Sequence, residues 1–214
     1  MSTKFIIPFY ESPSDSHCFQ ACLKMVLGHI SPDWDLTWQE LDKISGHSDD
    51  KWTWQGSALL YLAERGYKVV NIENLDYLAF AKKGEKYLAE IWTPKVFDIQ
   101  RKYSDLDREQ KIAKKLVKNS TVKLINKEVI FSDIISLMEN NYDVMVSINP
   151  YTIREEEGYS SHMVVVLGFT DNSVIWHDPG PPGKGSITSP RGLFEKSMTK
   201  PEKEDGNIIG IKQV

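Results

Sequence analysis

Three residues of this sequence, Cys18, His162 and Asp178, have the types and the chain order that nucleophilic thiol chemistry requires. Cys18 stands at the predicted start of a helix, where the positive end of the helix dipole favours the thiolate, the nucleophilic form of cysteine. A histidine at the mouth of an apolar strand can serve as general base, and an acid at the end of a neighbouring strand can orient its imidazole. Together they predict a Cys-His-Asp site that attacks a peptide or thioester carbonyl.

The helix that carries Cys18 is predicted from apolar spacing. One fairly apolar face is formed by residues that recur at helical intervals, namely 18, 21, 22, 25, 26 and 29. Asp15 or Ser16 is the expected N-cap, and the helix is expected to begin near residue 17 and to end near Gly28.

A β-hairpin is predicted to hold the other two residues. His162 immediately precedes the apolar run 163–169, and Asp178 follows a second strand-like run, 173–177. The step 171–172 between them is Asp-Asn, which is typical of a hairpin turn. Asp178 is therefore well placed to orient the imidazole of His162.

Each of these residues also has an ordinary structural interpretation. A helical cysteine is more often a small core residue than a nucleophile, and a histidine before a strand is more often structural. Asp-Pro-Gly at 178–180 is more often a turn than a site. The joint order and spacing of the three residues, rather than any one of them, favours the functional interpretation.

The other elements of the N-terminal part are predicted from patterning and turn residues. The segment 5–10 predicts a short strand. Helices are predicted over 36–44 and 54–65, and the second is closed by Gly66, a residue type that suits a helix C-terminus. A strand is predicted over 67–72.

Residues 73–120 differ from the rest of the chain. They are rich in Lys, Glu, Asp and aromatic residues, with helical spacing and few β-branched residues. We interpret them as a helical insertion, in which a weak capping box at 104–107 begins a helix that runs to about Lys118. The basic run 101–118 is expected to be a solvated helix face.

The C-terminal part is strand-rich. Its predicted helix covers 132–140, and its predicted strands cover 121–125, 143–148, 163–169 and 173–177. A further strand over 207–212 is expected at an edge of the sheet. Helices come first and strands later, which predicts an α+β fold with a mostly antiparallel sheet in a single domain, 1–214.

Composition and charge exclude several classes of function. The 214 residues are 41% hydrophobic and 26% charged, which is ordinary for a globular protein. A net charge of −4 argues against a nucleic-acid partner, which favours a basic excess. No apolar run approaches the ~20 residues of a membrane span, and residues 1–10 lack the features of a secretory signal. We therefore expect a cytoplasmic protein whose two cysteines are reduced thiols.

Three blocks of the sequence resemble the double-glycine leader peptidases, the papain-like cysteine peptidases that process bacteriocins. The segment 17–27, HCFQACLKMVL, resembles their nucleophile block D-C-G-x-A-C-L-x-M-x-L. The segment 161–169, SHMVVVLGF, resembles G-H-[YF]-V-V-V-x-G-[YF], and 177–179, HDP, resembles the D-P block after the next strand. The stretch 54–70 is also similar to the family's helix and strand, so the resemblance covers most of the chain outside 73–120.

The resemblance implies a papain-like fold, in which N-terminal helices pack on a mostly antiparallel sheet and a helical insertion is added. It implies Cys18 as the nucleophile, His162 as the general base and acid, and Asp178 as the orienting acid. Cys22 would be a buried, non-catalytic companion. The implied partner is a peptide or acyl substrate, and neither a cofactor nor a metal is expected.

The sequence departs from the family's pattern at the oxyanion hole. The family places a Gln six residues before the nucleophile, where this sequence has Ser12 with Glu11 beside it. An oxyanion-hole donor contributes ~3–4 kcal/mol of transition-state stabilisation. The Ser12 hydroxyl is a weak candidate for this role, and an ionised Glu11 would repel an oxyanion. The family's Gly after the nucleophile is Phe19 here, and its preceding acid is His17.

A second, looser resemblance is to the papain-like proteins named for a guanylyl cyclase domain. They also carry a helical insertion before the last strands, and the stretch 90–148 is similar in layout. The sequence has neither a phosphate-cradling Gly-rich loop nor paired metal-binding acids, so cyclase chemistry has no support at the residue level.

Two alternatives stand beside a thiol hydrolase or acyltransferase. One is a catalytically impaired papain-like binding domain, which the residues at positions 12 and 19 favour. The other is a metal site, because Cys-x₃-Cys on a helix puts both thiols on one face. Its ligands would be Cys18, Cys22, His162 and His177.

Overall fold

The computed structural model, which describes residues 5–199 and 206–213, contains a seven-stranded sheet. Its strands, numbered along the chain, are β1 (Lys68–Glu73), β2 (Val122–Asn126), β3 (Asp143–Ile148), β4 (His162–Phe169), β5 (Ser173–Asp178), β6 (Lys184–Pro190) and β7 (Asn207–Lys212). The spatial order is β2-β1-β7-β3-β4-β5-β6, and neighbouring strands are antiparallel except for β1 and β2. The prediction of a mostly antiparallel sheet is confirmed.

The helices of these same residues precede, interrupt and follow the strands. They are α1 (Cys18–Ile30), α2 (Trp38–Ser45), α3 (Gly56–Glu64), α4 (Tyr77–Lys83), α5 (Glu85–Ile91), α6 (Pro94–Tyr103), α7 (Leu106–Leu116), α8 (Phe131–Glu139), α9 (Pro150–Ile153) and α10 (Arg191–Ser197). Helices α4 to α7 form the predicted helical insertion. None of the helices in the described part of the chain has both the length and the apolar character that a bilayer crossing requires.

Helix α1 packs against the centre of the sheet. Cys22, Met25 and Val26 of α1 are fully buried in one apolar cluster with Met145 of β3 and Val165 of β4. The opposite face of these strands packs against α8 and α10 in a second cluster. Strands that are buried on both faces are apolar at successive positions, which explains the long apolar run of β4. This packing fixes α1 against the strand that begins with His162.

Strand β7 lies inside the sheet, so the expectation of an edge strand is wrong. It pairs with β1 on one side and with β3 on the other. Ile208, Ile209 and Ile211 are all buried, as suits a central strand. Chain order misleads here because the last strand in sequence inserts between two earlier ones.

Residues 5–10 do not form a strand, contrary to the prediction. Phe5 donates its N–H to a β4 carbonyl (2.7 Å), and the Ile7 carbonyl accepts from Nε2 of His177 (3.0 Å). Pro8 has no N–H, so a continuous ladder cannot form along this segment. The segment is therefore held to β4 and β5 by isolated hydrogen bonds.

Three elements carry no clear signal in the sequence. Strand β6 reads KGSITSP and is exposed along most of its length, so it lacks an apolar pattern. Helices α9 and α10 have only four and seven residues, too few for helical periodicity to be evident. Helix α9 precedes the two strands that carry His162 and Asp178, and β6 and α10 follow them.

Capping explains the ends of the predicted N-terminal helices. The Thr37 side chain accepts the Glu40 N–H, and the Glu40 carboxylate accepts the Thr37 N–H (2.8 Å), which is a capping box. Helix α2 ends at Gly46, with a φ of 68°. Helix α3 is followed by Gly66, with a φ of 86°, as predicted.

Helix α7 attaches the insertion to the N-terminal helices. Its N-cap is Asp105, whose side chain accepts the N–H of Arg108 (3.0 Å). Arg108 also donates from Nη1 to the Gly46 carbonyl (2.8 Å). Gly56 of α3 lies so close to α7 that a Cβ there would be 3.1 Å from Cγ2 of Ile112. The insertion is therefore packed on α3 rather than hinged from it.

Candidate active site

Cys18 is the first residue of helix α1. Its N-cap is His17 rather than Asp15 or Ser16, so the predicted cap is wrong. The reason is a turn in which the His17 N–H bonds to the Ser14 carbonyl (3.3 Å), which starts the helix one residue later. Since His17 makes no side-chain cap, the first N–H groups of α1 are uncapped, and the N–H of Phe19 contacts the thiol.

His162 begins β4, and Asp178 ends the adjacent antiparallel strand β5. This pairing brings the two side chains together, with Nε2 of His162 2.7 Å from Oδ1 of Asp178. The same carboxylate oxygen accepts the Gly180 N–H (2.9 Å), which fixes its orientation. Because Nε2 faces the carboxylate, Nδ1 is the ring nitrogen left for the thiol.

The imidazole of His162 is held in its charged form. Burial opposes the positive charge, but hydrogen bonds with Asp178 and Cys18 outweigh it and raise the pKa of His162 to about 9. The His162 and Asp178 side chains are 15% and 26% exposed, so solvent reaches the pair only partly.

Cys18 and Asp178 are shifted toward their anionic forms. Burial would raise the pKa of Cys18, but the hydrogen bond and charge of His162, together with the N–H groups of Met163 and Phe19, lower it below its ordinary value. Burial likewise opposes the Asp178 carboxylate, and the bond from His162, the Gly180 N–H and the charge of Arg154 lower its pKa. The arrangement favours a thiolate–imidazolium pair.

Cys22 has the opposite character. It is fully buried, and its thiol donates to the Met163 carbonyl (3.2 Å). Burial and the nearby negative charges of Cys18 and Asp178 raise the pKa of Cys22 well above that of an ordinary thiol. A thiol of this kind is chemically inert.

Ser12 is buried in the segment that leads to α1. Its hydroxyl donates to the Ser14 carbonyl (2.7 Å), and its N–H donates to the Pro179 carbonyl (2.8 Å). Glu11 accepts the Gly183 N–H (3.0 Å). The two residues thus tie the N-terminal segment to the loop that follows Asp178.

The four residues of the alternative metal site do not converge. His177 uses both ring nitrogens, since Nε2 bonds to the Ile7 carbonyl (3.0 Å) and Nδ1 accepts the Ser186 N–H (2.9 Å). Across residues 5–199 and 206–213, His177 and the two cysteines do not belong to any group of three ligand atoms that lie within 4.8 Å of one another. This alternative is wrong because β5 turns His177 toward the N-terminal segment.

Several groups at the site have no signal in the sequence. The N–H groups of Phe19, Met163 and Gly180 contact Cys18 or Asp178 through backbone atoms, which any residue type supplies. Arg154 could have been noticed only as the basic residue before an acidic run, because its proximity to Asp178 depends on the fold.

The fold and the site together define a class of protein. A helix-borne cysteine faces a histidine and a carboxylate at the ends of two adjacent strands in an α+β fold of papain-like type. A family model described as the Peptidase_C39 like family matches residues 6–200. The chain belongs to this family, and membership supports a cysteine peptidase-like function.

Eleven chains of known structure also match this one. One is a crystal structure from Bacillus anthracis, provisionally described as that of a C39-like peptidase. It is 16% identical, with 100% of this chain and 98% of that chain covered and a TM-score of 0.49. No curated protein matches the chain.

Proposed function

We propose that this protein is a thiol hydrolase that cleaves peptide bonds, with Cys18 as nucleophile, His162 as general base and acid, and Asp178 as orienting acid. The observation that carries this proposal is the 2.7 Å contact between Nε2 of His162 and Oδ1 of Asp178, which leaves Nδ1 for Cys18. The lowered pKa of Cys18 and the raised pKa of His162 suit an enzyme that attacks with a preformed thiolate.

The reaction follows from these roles. The Cys18 thiolate attacks the carbonyl carbon, and a C–S bond forms. As the tetrahedral intermediate collapses, the C–N bond breaks and the His162 imidazolium gives its proton to the leaving amine. Water then attacks the thioester while His162 takes its proton, which releases the acid and the thiol. If an amine attacks the thioester in place of water, the acyl group is transferred to that amine and the product is an amide.

The oxyanion would be stabilised chiefly by backbone. The first N–H groups of α1 lack a side-chain cap, and they lie at the positive end of a 13-residue helix. The Ser12 hydroxyl is a second donor in this proposal, but it must leave the Ser14 carbonyl to reach an oxyanion. We therefore expect Ser12→Ala to reduce the rate less than Cys18→Ala.

The test is cleavage of a defined peptide mixture, read by mass spectrometry of new termini. The mixture includes leader peptides that end in two glycines, which tests whether the chain shares the substrates of the double-glycine leader peptidases. The proposal expects cleavage by the wild-type protein and by Cys22→Ala, and none by Cys18→Ala. Because Cys22→Ala also removes one thiol from α1, it is the matched control. Equal cleavage by wild type and Cys18→Ala would overturn the proposal.

A second candidate is a peptide-binding domain with impaired catalysis. It is favoured by the engaged Ser12 hydroxyl and by the Glu11 carboxylate near the same loop. This candidate predicts that peptides bind to wild type and to Cys18→Ala with equal affinity and are recovered intact. Calorimetry with the same peptide mixture distinguishes it from the hydrolase.

Acyl transfer is distinguished from hydrolysis with the same peptides. Adding an ordinary amine such as glycinamide captures the thioester as an amide, and the product mass then reports this capture. A hydrolase gives mainly the free acid even with amine present, whereas an acyltransferase gives mainly the amide.

A further inference from the structure

A second cluster of polar side chains forms around His17, the residue that precedes Cys18. It consists of His17 at the N-cap of α1, Asp42 on α2 and His47 just after α2. One ligand atom from each residue lies within 4.8 Å of the other two. His17 is distant in sequence from Asp42 and His47, so no motif spacing marks the three residues.

Two of these ligand atoms are buried without a hydrogen bond. Nε2 of His47 and Oδ1 of Asp42 have no hydrogen-bond partner among residues 5–199 and 206–213. The His47 side chain is only 5% exposed, so water does not readily replace the missing partner. Oδ1 of Asp42 lies 3.1 Å from Nε2 of His17, but the two make no hydrogen bond. Leaving a buried polar atom without a hydrogen bond is unfavourable, so this arrangement needs an explanation.

The other ring nitrogen of each histidine is already engaged. Nδ1 of His17 bonds to the Ser14 hydroxyl (2.6 Å), and Nδ1 of His47 bonds to the Thr53 hydroxyl (2.9 Å). When each Nδ1–H donates to its hydroxyl, both Nε2 atoms carry a lone pair and point into the cluster. Metal-bound histidines are oriented in this way, by a hydrogen bond from the nitrogen that does not bind the metal.

We propose that His17, Asp42 and His47 form a binding site for a divalent transition-metal ion of the zinc type, through the two Nε2 atoms and the Asp42 carboxylate. Two imidazoles and one carboxylate are a donor set that zinc accepts, with a fourth position for water or another oxygen. Asp49 is available for that position, since its exposed Oδ1 lies 3.6 Å from Nε2 of His47. Ligand distances of ~2.0–2.2 Å require the three side chains to move closer by small rotations.

A metal-free interpretation explains less. An ion pair between His17 and Asp42 accounts for their 3.1 Å approach. It leaves Nε2 of His47 buried without a hydrogen bond, with the Asp49 carboxylate 3.6 Å away, and it gives no reason for two imidazoles with centroids 4.3 Å apart. A shared cation gives all three groups a partner at once.

The site would hold the start of α1 against α2. Although His17 precedes Cys18, adjacent residues on a helix do not face each other, so the two sites remain separate. The metal's expected role is structural, and it does not depend on the chemistry proposed for Cys18.

The test uses Zn²⁺ and Co²⁺ with the full chain carrying Cys18→Ser, so that the reactive thiol cannot supply a ligand. Calorimetry is expected to give one Zn²⁺ per chain, with affinity reduced at least ~10-fold by an added His47→Gln. Gln is similar in length to His but cannot supply the imidazole Nε2 that would bind the metal. The matched control is His29→Gln, which removes a histidine outside the cluster and is expected to leave the affinity unchanged. The Co²⁺ complex should show visible bands and no thiolate charge-transfer band.

A second measurement needs no variant in the cluster. Zn²⁺ is expected to shift the imidazole NMR resonances of His17 and His47, but not those of His29. Absence of Zn²⁺ binding, equal affinity with and without His47→Gln, or unshifted resonances of both His17 and His47 would each overturn the proposal.

Discussion

At the scale of single residues, the protonation of His162 depends on two partners with different roles. Asp178 fixes which ring nitrogen faces the thiol and stabilises the imidazolium, and Cys18 adds a second favourable interaction. Burial works against both charges, so the proposed ion pair depends on the close approach of the partners. Removing any one of Cys18, His162 and Asp178 should change the pKa values of the other two.

Asp178→Asn tests the role of the carboxylate. Asn cannot supply the negative charge that raises the pKa of His162, so this pKa should fall and the pKa of the Cys18 thiol should rise. We expect peptide cleavage to fall by ~10²-fold or more at neutral pH. The pH dependence of cleavage and of thiol alkylation measures both effects, and an unchanged profile would exclude Asp178 from this role.

The residues of the candidate site differ in how far sequence can predict them. Cys18, His162 and Asp178 are identifiable because their side-chain types and order carry chemical meaning. The N–H groups of Phe19 and Met163 are not, because backbone donors leave no trace in residue type. The proposed metal site is not evident in the sequence for another reason: its residues are brought together only when α1 packs against α2.

At the scale of elements, α1 is tied to the sheet by a contact between His29 and a buried carboxyl group. Nδ1 of His29, near the C-terminus of α1, lies 2.7 Å from Oδ2 of Asp143, the first residue of β3. Burial raises the pKa of Asp143 from 3.8 to about 6, and the bond from His29 only partly offsets this. The folded protein therefore holds the Asp143 proton to higher pH than the unfolded chain does.

This shift predicts how stability depends on pH. Since the folded state binds more protons between pH 3.8 and about 6, the free energy of unfolding contributed by Asp143 falls as pH rises through that range. One pKa unit corresponds to ~1.4 kcal/mol, so the expected fall is ~2–3 kcal/mol. Asp143→Asn should remove it. Urea unfolding of both proteins at several pH values measures the difference, and parallel curves would contradict the prediction.

The strands show which elements sequence can predict. Strand β4 is evident because both of its faces are buried and it is apolar throughout. Strand β6 is not evident in the sequence because it is exposed and polar. It forms a strand because it pairs with β5, not because of its own residue types. The central place of β7 depends on tertiary packing, which local patterning does not encode.

At the scale of the whole molecule, we propose that the insertion and the sheet fold as one unit. Leu88, Leu106 and Leu116 of the insertion share an apolar cluster with α1 and α3. Arg108 joins α7 to the Gly46 carbonyl and pairs with the buried Glu109 (2.8 Å). An interface of this kind couples unfolding of the two parts.

Arg108→Ala tests this coupling. It leaves the Glu109 carboxylate buried without its cation, and we expect the free energy of unfolding to fall by ~2–3 kcal/mol in one cooperative transition. The matched control is Arg101→Ala, whose exposed pair with Glu85 is worth ~1 kcal/mol or less. Far-UV circular dichroism and tryptophan fluorescence should give coincident urea curves. Two separate transitions would show that the insertion folds independently.

The central claim, a thiolate–imidazolium pair at Cys18 and His162, is tested most directly by alkylation with iodoacetamide across pH, read by intact mass. The account predicts fast labelling of one cysteine with an apparent pKa well below the ~8.5 of a free thiol. Labelling should vanish in Cys18→Ala, persist in Cys22→Ala, and shift to higher pH in His162→Ala. Labelling that titrates near 8.5 or above and ignores His162→Ala would contradict the account.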